Sequence, residues 1–249
     1  MPRTISYDVP GYEAFRQRAK DDNLRTNEKV GFPESLRAGA SARIFADIEQ
    51  KLTSFSGPAA RILDIGPGCG ELARHVIAEC VGRGHELTLI DSPEMLDLLP
   101  DTAHVTKLTG PFPACLSSQA WHNREFDAIL VYSVVQYVFS EGNLFSFIDA
   151  AAALLAEGGQ LLVGDIPNAT MRKRFLASPA GREYHRRHYA SLPEPEVTFN
   201  SPDPGHVDDG IILGILARMR LAGFHAYVMP QADQLPMATR REDILIRRP

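Results

Sequence analysis

Three glycines and a carboxylate in residues 61–91 have the types and spacing of a ligand-binding turn. The segment RILDIGPGCGELARHV begins apolar, carries Gly66, Gly68 and Gly70, and continues with helical spacing. Asp91 ends the next apolar stretch, 21 residues after Gly70. Glycines let a backbone approach a ligand closely, and the first N–H groups of a helix are free to bind it. A carboxylate at the end of the following strand can accept hydrogen bonds from both hydroxyls of a ribose.

The spacing of the glycines separates two kinds of nucleotide site. A dinucleotide-binding turn has the pattern GxGxxG, and its third glycine would fall where this chain has Glu71. A carboxylate in the first helical turn suits the helix dipole, but it repels a pyrophosphate. The phosphate-binding pattern GxxxxGK[ST] is absent from the sequence. The turn therefore favours a ligand that has a ribose and no phosphate.

Apolar runs and helical patterns alternate from residue 61 onward, as in a doubly wound α/β fold. The runs predict strands at 61–66, 85–91, 103–110, from 126, and at 159–168. Helices are predicted at 70–80, 92–99, 140–156 and 208–224, with Gly158 and Gly159 ending the third. Two last strands, 224–231 and 242–248, leave no room for a crossover helix and should be antiparallel. The predicted fold is a mostly parallel sheet that binds its ligand at the carboxyl ends of the strands.

We predict one domain with four parts. Residues 1–57 form a helical cap over the site, to which Lys29, Phe32 and Arg37 contribute, although a dimer interface is an alternative role for this segment. The ligand-binding core is residues 58–167, an insertion occupies 168–207, and residues 208–249 supply a closing helix and strand pair.

The composition is that of a globular chain in a reducing compartment. Its 31 acidic and 26 basic residues give a net charge of −5, which disfavours a nucleic-acid partner. Cys69, Cys80 and Cys115 form no CxxC pair, so we expect neither a disulfide framework nor a structural zinc site. The aspartates of HVDD, Asp208 and Asp209, suit a helix cap, and we expect no metal. No signal peptide or membrane-spanning run is visible, so we expect a cytoplasmic monomer or homodimer that acts on a small molecule.

Four segments of the chain resemble the class I S-adenosylmethionine-dependent methyltransferases. They are LDIGPGCGE (Leu63 to Glu71), LTLIDSPEML (Leu87 to Leu96), FDAILVYSVVQYV (Phe126 to Val138) and LAEGGQLLVGD (Leu155 to Asp165). The resemblance covers roughly Arg61 to Asp165 and the closing strand pair. It implies a Rossmann-like sheet of seven strands whose last strand is antiparallel, and S-adenosylmethionine as the cofactor.

The resemblance also implies a role for each matching residue. Asp64 would hold the amino end of the cofactor, and Asp91 would hold its ribose. Ser92 and Met95 would flank the adenine. The other implied cofactor contacts are Gly66, Pro67, Gly68, Cys69 and Gly70 of the turn, and Ser133, Val134 and Val135 after the fourth strand. The family often has an acidic residue after its third strand; this chain has Gly110, Pro111 and Phe112 there, which would act through backbone or stacking.

Methyl transfer from a sulfonium is an in-line displacement, which needs alignment and exclusion of water. A base is needed only where the acceptor atom carries a proton that must leave. Asp165, at the end of the fifth strand, is the candidate orienting or basic group, and Tyr132 would face substrate or cofactor unless it is a core residue. His185, with His188 and His206, is a candidate only because histidine titrates near neutral pH, and a surface role is the favoured alternative for each of them.

The insertion begins with a basic segment, NATMRKRFLASPAGREYHRRHY, in an acidic protein. We predict that it closes over the site and binds an anionic or sugar-like substrate through Arg172, Arg174 and Asn168, together with Gln136 of the core. A solvated helix face is the alternative. Aromatic residues interleave with the basic ones, so an RNA substrate also stays open.

Other functions fit parts of the same pattern. A nicotinamide-dependent oxidoreductase would share the fold, but Glu71 opposes it. A non-catalytic protein that binds the cofactor or its demethylated product would carry the same motifs. Aminopropyl transfer would need a carboxylate-rich pocket for a polyamine, which the basic insertion opposes. The residues favour methyl transfer to an oxygen or nitrogen atom of a small molecule.

Overall fold

The computed structural model describes residues 11–117, 121, 124–189, 192–201 and 203–249. The strands are β1 (Arg61–Ile65), β2 (Glu86–Asp91), β3 (Val105–Thr109), β4 (Phe126–Tyr132), β5 (Leu155–Pro167), β6 (His225–Pro230) and β7 (Arg241–Arg247). The first helices are α1 (Tyr12–Lys20), α2 (Thr26–Lys29), α3 (Glu34–Arg37), α4 (Ser41–Lys51), α5 (Glu71–Arg83) and α6 (Pro93–Leu96). They are followed by α7 (Val135–Glu141), α8 (Leu144–Ala152), α9 (Ala169–Ala177), α10 (Pro179–His188) and α11 (Asp209–Leu221).

The seven strands form one sheet in the order β3-β2-β1-β4-β5-β7-β6. Strands β1 to β5 pair in parallel, whereas β7 is antiparallel to both β5 and β6. The predicted fold class, a mostly parallel doubly wound sheet with an antiparallel last strand, is confirmed. From β1 the strands follow one another toward one edge of the sheet, and from β4 toward the other edge. Ligands of such sheets bind at this switch point, outside the carboxyl ends of the strands.

The alternation of side chains along the buried strands separates two hydrophobic cores. In β1, Leu63 and Ile65 pack on one face of the sheet with residues of α8 and α11. Ile62 points to the opposite face and packs with residues of α4 and α5. Covering both faces with helices explains why the strands are apolar throughout rather than alternately polar.

Two boundaries around β4 and β5 differ from the prediction. The segment after β4 turns at once into α7, which the sequence reading did not separate from the strand. The predicted helix 140–156 is too long, since α8 ends at Ala152 and β5 already begins at Leu155. Gly158 and Gly159 lie inside β5, at a register shift in which Phe126 pairs with Leu155 and Ala128 pairs with Gln160. The prediction that Gly158 and Gly159 end the preceding helix is therefore wrong; the two glycines allow the bulge in β5.

The cap and the insertion are both helical in their described parts. Helices α1 to α4 precede β1, and α9 and α10 follow β5. The described residues of the proline-rich half of the insertion, 192–201 and 203–208, contain neither helix nor strand, as predicted. Among the described residues, no helix is long and apolar enough to cross a membrane.

Candidate functional site

A cavity of about 500 Å³ lies at the carboxyl ends of β1, β2 and β4. Its walls come from the glycine turn after β1, the ends of β2 and β3, the start of α7, and the cap helices α1 to α4. Aromatic side chains provide much of the wall, among them Phe15, Phe32, Phe112 and Phe147. Ligand sites in proteins have this size and this mainly apolar character, with a few polar groups that fix orientation.

The glycine turn forms the floor of the cavity. Gly66 has φ +76°, and a Cβ atom there would lie 2.7 Å from Val134 Cγ2. Gly68 has φ +63°, and a Cβ atom there would lie 2.5 Å from Val30 Cγ1 of the cap. Both positions therefore require glycine, for the backbone conformation and for the close approach of neighbouring side chains.

Asp91 stands at the end of β2, beside this floor. Its Oδ2 accepts a hydrogen bond from the Gly68 N–H at 2.9 Å, and its Oδ1 accepts one from the Ser92 N–H at 2.6 Å. Burial raises the pKa of Asp91 to about 6, and the two N–H groups oppose that rise. A carboxylate oxygen can accept more than one hydrogen bond, so Asp91 keeps acceptor capacity for a ligand in the cavity.

Asp64 lies behind the floor rather than in it. Its side chain is on β1, the residue is 3% exposed, and it is not part of the cavity wall. Burial, and to a lesser degree the negative charge of Asp91, raise the pKa of Asp64 to about 8. The carboxyl group is therefore mostly protonated at neutral pH, and a neutral carboxyl group costs less free energy to bury than a carboxylate.

Helix α1 forms a roof across the cavity. Tyr12 and Phe15 line the cavity from this helix, and the Phe15 ring meets the Tyr137 ring of α7 at 4.7 Å between centroids. One end of α1 is held where Glu141 Oε2 accepts from the Tyr12 N–H at 3.0 Å. At the other side, Glu94 of α6 accepts from Arg16 at 2.7 and 2.9 Å and pairs with Lys20 at 3.0 Å.

Glu71, which separated the two kinds of nucleotide site in the sequence, is a wall residue of the cavity. It occupies the first position of α5, and its Oε2 accepts from the Gly39 N–H of the cap at 3.2 Å. The carboxylate thus links the glycine turn to the segment between α3 and α4. A diphosphate placed at this helix end would meet that negative charge.

A buried ionic cluster adjoins the cavity beyond β4. Asp165, 1% exposed, accepts through Oδ2 from Arg37, from Ser133 Oγ and from Arg241 Nη1, the last at 2.7 Å. Ser133 and Asp165 both have left-handed backbone angles, φ +61° and +57°. Such conformations cost free energy in residues other than glycine and persist only where the surroundings enforce them. Lys51 and Asp243 continue the cluster, since Asp243 Oδ1 accepts from the Asp165 N–H at 2.8 Å and Lys51 pairs with Asp243 at 2.7 Å.

Most of the predicted cofactor contacts lie in the cavity wall. They are Gly66, Pro67, Gly68, Gly70, Asp91, Met95, Gly110, Pro111, Phe112, Ser133 and Val134. Four others lie behind the wall: Asp64 in β1, Cys69 packed with Ala19 and Met95, Ser92 as the N-cap of α6, and Val135 in the core. The four support the wall through packing and hydrogen bonds, so they reach a ligand only through their neighbours.

The predicted catalytic residues fall in different places. Tyr132 lines the cavity, and burial raises its pKa well above the ordinary value, so it stays a phenol at neutral pH. Asp165 forms ion pairs with Arg37 and Arg241. A general base needs a carboxylate oxygen that is free to accept the proton of the substrate, and these ion pairs oppose that role. His185 lies on α10, outside the wall, where its Nε2 contacts the Pro193 carbonyl oxygen at 3.0 Å.

The predicted substrate-binding residues also lie outside the wall. Arg174 pairs with Asp209 at 2.5 Å, and Arg172 is exposed on α9. Asn168 is the N-cap of α9, where its Oδ1 accepts from the Thr170 and Met171 N–H groups at 2.9 and 3.1 Å. Gln136 donates to the Ser133 carbonyl oxygen at 2.8 Å. No described residue of the insertion reaches the cavity, because α9 packs against α11 and the 3-10 turn at Ala238–Arg240, and α10 packs against α9.

The cap supplies the residues that sequence reasoning mostly missed. Phe32 and Arg37 line the cavity as expected, but Lys29 turns away and donates to the Ala19 carbonyl oxygen at 2.6 Å. Unexpected wall residues are Tyr12, Phe15, Asn27, Val30, Ser41 and Ile44 from the cap, and Tyr137, Val138, Glu141 and Phe147 from α7 and α8. No group of three or more potential metal ligands occurs among the described residues.

Comparison with known proteins finds similarity in structure alone. No protein-family model matches the sequence, and no curated protein matches it in sequence. The N-methyltransferase NodS from Bradyrhizobium japonicum WM9, in complex with S-adenosyl-L-homocysteine, superposes with a TM-score of 0.59 at 18% identity, over 97% of this chain and 100% of NodS. The plantazolicin methyltransferase BpumL, in complex with a triazolic desmethylPZN analogue and S-adenosylhomocysteine, has a TM-score of 0.60 at 12% identity, over 95% of this chain and 98% of BpumL.

A third structure, an O-methyltransferase family protein from Burkholderia thailandensis, matches with a TM-score of 0.54 at 16% identity. The match covers 96% of this chain and 63% of that protein. Together with the strand order and the antiparallel β7, these similarities give the chain the fold of the class I S-adenosylmethionine-dependent methyltransferases.

Proposed function

We propose that this protein transfers a methyl group from S-adenosylmethionine to an oxygen or nitrogen atom of a small molecule. The observation that carries the proposal is the position of Asp91. Its carboxylate stands in the cavity at the end of β2, is held by the Gly68 N–H at 2.9 Å, and keeps acceptor capacity for the two hydroxyls of a ribose.

The residues around Asp91 fit this cofactor better than a dinucleotide. Glu71 places a carboxylate at the start of α5, where a pyrophosphate would bind. Gly110, Pro111 and Phe112 form an apolar wall beyond β3 next to Asp91, which suits the flat faces of an adenine. The described wall thus offers contacts for a nucleoside, whereas the carboxylate of Glu71 disfavours a diphosphate at the start of α5.

The shape of the cavity supports a small acceptor. Helix α1 covers one side of it, and aromatic rings line it, so a ligand inside is shielded from bulk water on those sides. An RNA acceptor would need a basic surface at the site, and the basic helices α9 and α10 contribute no described residue to the wall. Methyltransferases among the structural neighbours are named as an N-methyltransferase, a plantazolicin methyltransferase and an O-methyltransferase family protein.

The chemistry that we propose depends on placement. The cofactor, when bound, supplies a methyl group already activated by the positive charge of its sulfur. The glycine turn and Ser133 would orient it, and Tyr12, Phe15 and Phe32 would exclude water. Tyr132 would act as a wall residue or hydrogen-bond donor, since its raised pKa disfavours a phenolate. Asp165 would position Arg37 and Ser133, because its own charge is already paired.

Titration calorimetry with S-adenosylhomocysteine and with NADH tests the cofactor assignment directly. We expect binding of S-adenosylhomocysteine and no binding of NADH; the reverse result would favour an oxidoreductase. An assay with methyl-labelled S-adenosylmethionine, against a panel of small amines, phenols and carboxylic acids, then tests transfer. If the protein binds the cofactor but labels neither this panel nor RNA added as a separate substrate, a non-catalytic binding role would be favoured.

A further inference from the structure

Strand β6 forms one edge of the sheet. It stands last in the strand order, and among the described strands only β7 pairs with it. Edge strands expose unpaired N–H and C=O groups, and many proteins protect such strands with a lysine, a central proline or a bulge. The sequence of β6, HAYVMP, has no lysine, its proline is the last residue, and its register with β7 is continuous. The outer edge of β6 is therefore open to pairing with a further strand.

Alternation along the antiparallel strands decides which backbone groups of β6 point outward. The Arg248 N–H, just after β7, donates to the Gly159 carbonyl oxygen of β5 at 3.0 Å. Even-numbered residues of β7 therefore bond to β5 and odd-numbered residues bond to β6, because the N–H and C=O of one residue point the same way. The partners of the odd-numbered residues are His225, Tyr227 and Met229. The backbone groups that point outward belong to Ala226, Val228 and Pro230.

Helix α11 supports this orientation of the edge. The Arg220 Nη2 and Nε donate to the Ala226 carbonyl oxygen at 2.6 and 3.0 Å, so this oxygen is engaged outside the ladder with β7. The outward N–H groups of Ala226 and Val228 need acceptors, which water or a second strand can supply. The edge thus offers two donors beside an acceptor that is already satisfied.

Apolar side chains surround the open edge. Val228 is 38% exposed and Tyr227 is 44% exposed, on opposite faces of β6. Leu213 of α11 is 60% exposed, and it lies two helical turns before Arg220 on the same side of that helix. Exposed apolar surface beside unpaired backbone groups is typical of a protein–protein contact.

The hydrogen-bonding groups of this edge are complementary to a second copy of the same edge. If Val228 pairs with Val228 of the second copy across a two-fold axis, Ala226 faces Pro230 of that copy. The outward N–H groups of Ala226 and Val228 then meet the carbonyl oxygens of Pro230 and Val228. Proline has no N–H, and the Ala226 carbonyl oxygen needs none, because Arg220 already donates to it.

The charges at the two ends of the edge are complementary as well. The end near Ala226 carries Arg220 and the exposed Arg247, which lies opposite the first residue of β6. The other end carries Glu242, which lies opposite Pro230, and the exposed Asp233 just beyond. A two-fold axis reverses the strand, so the basic end of each copy meets the acidic end of the other.

We propose that β6 pairs in antiparallel fashion with β6 of a second copy, centred on Val228, so that two seven-stranded sheets join into one continuous sheet. In this pairing Tyr227 packs beside Met229 of the second copy, and Leu213 flanks the Val228 pair on the other face. Strand β6 runs parallel to β5, since both are antiparallel to β7. The two copies therefore direct their cavities to opposite edges of the joined sheet, and dimerisation leaves the cofactor site untouched.

Sedimentation equilibrium of the wild-type protein and of two edge variants tests the pairing. We expect a wild-type dimer with a dissociation constant of about 10 μM or below. V228P removes an N–H that points away from β7, and V228K places a charge in the apolar centre. Each should weaken the dimer at least about 10-fold. F199S, which removes another exposed apolar side chain outside α11 and β6, is the control and should dimerise as the wild type does.

A charge exchange tests the two-fold geometry. D233R brings basic groups together and should weaken the dimer about 3- to 10-fold, and the double variant D233R/R247D should restore most of the loss. A wild-type protein that stays monomeric at about 100 μM, or a V228K variant that dimerises as tightly as the wild type, would show that this edge is not an interface. S-adenosylhomocysteine should bind V228K and the wild type equally. If it binds neither, the proposed function fails and the dimer does not.

Discussion

The carboxylate of Asp91 is tied to the glycine turn, since its Oδ2 accepts from the Gly68 N–H at 2.9 Å. The bond joins the ends of two neighbouring strands, β1 and β2, at the edge of the sheet where ligands bind. The hydrogen bond orients Asp91, the residue that would hold a ribose. Its donor is the backbone of the glycine turn, which would pass under the same ligand. The site is therefore organised before any ligand binds, which lowers the cost of binding.

Cofactor affinity should depend on pH through Asp91. The pKa of Asp91 is raised to about 6 by burial, and the ionised form is the stronger acceptor for ribose hydroxyls. At pH 5 about one-tenth of the group is ionised, so S-adenosylhomocysteine should bind about tenfold more weakly than at pH 7. Titrations between pH 5 and 8 measure this, and D91N should remove most of the dependence. A flat profile for the wild-type protein would contradict the role of Asp91.

The stability of the protein should record the buried carboxyl group of Asp64. Its pKa is raised to about 8 in the folded state, above the usual value of about 3.9 in an unfolded chain. The folded state therefore holds the proton more tightly, and the free energy of unfolding falls as pH rises from about 4 to about 8. D64N should flatten that slope, most clearly between pH 7 and 8, where Asp91 is already mostly ionised. Urea unfolding of both proteins across this range is the measurement; equal slopes would refute the prediction.

Helix α1 should act as a roof that slows ligand release. E94A removes the partner of Arg16 and Lys20, and E141A removes the acceptor of the Tyr12 N–H. Because both contacts that hold α1 over the cavity are then lost, the double variant should raise the dissociation rate of S-adenosylhomocysteine about 3- to 10-fold. E13A is the control, since the described hydrogen bonds of Glu13 stay within α1. If stopped-flow dissociation rates are equal for the wild type, the double variant and E13A, helix α1 does not slow ligand release.

Gly68 should tolerate no side chain. In G68A the new Cβ would meet Val30 Cγ1 at 2.5 Å, and the backbone would keep a left-handed φ of +63°. We expect a loss of stability of about 1–3 kcal/mol and weaker binding of S-adenosylhomocysteine. V30A in the same chain should relieve the contact but not the backbone strain, so it should restore part of the stability.

The control for this change is G82A, at an exposed position of α5 where a Cβ meets nothing within 4 Å. Alanine there should leave the protein unchanged or stabilise it by up to about 1 kcal/mol. Thermal unfolding compares the two variants. If G68A is as stable as G82A, the turn is not constrained as described.

The sequence predicts the fold and the floor of the site for a single physical reason. Parallel strands end at one edge of a sheet, so Gly66, Gly68 and Asp91 are brought together by their positions at strand ends alone. Their spacing is local, and no long-range contact has to be guessed. The antiparallel pairing of the two closing strands was also predictable from local spacing, because the segment between them is too short for a crossover helix.

The roof and the insertion depend on tertiary contacts that no periodicity encodes. Tyr12 enters the cavity because α1 is anchored at Glu94 and Glu141, which lie far along the chain. The Arg37–Asp165 pair joins residues 128 positions apart. The basic segment of the insertion begins at the edge of the sheet where ligands bind, yet Arg174 forms an ion pair with Asp209 and does not line the cavity. Charge in a sequence indicates a partner but does not say whether that partner is a ligand or another part of the chain.

The most direct test of the account is the binding of S-adenosylhomocysteine to the wild-type protein and to D91A, measured by titration calorimetry. D97A, at an exposed aspartate just after α6, is the matched control. We predict that D91A loses at least about 1–3 kcal/mol of binding free energy, because the ribose hydroxyls lose their buried acceptor, whereas D97A binds as the wild type does. Unchanged affinity in D91A would contradict the assignment of this cavity to S-adenosylmethionine.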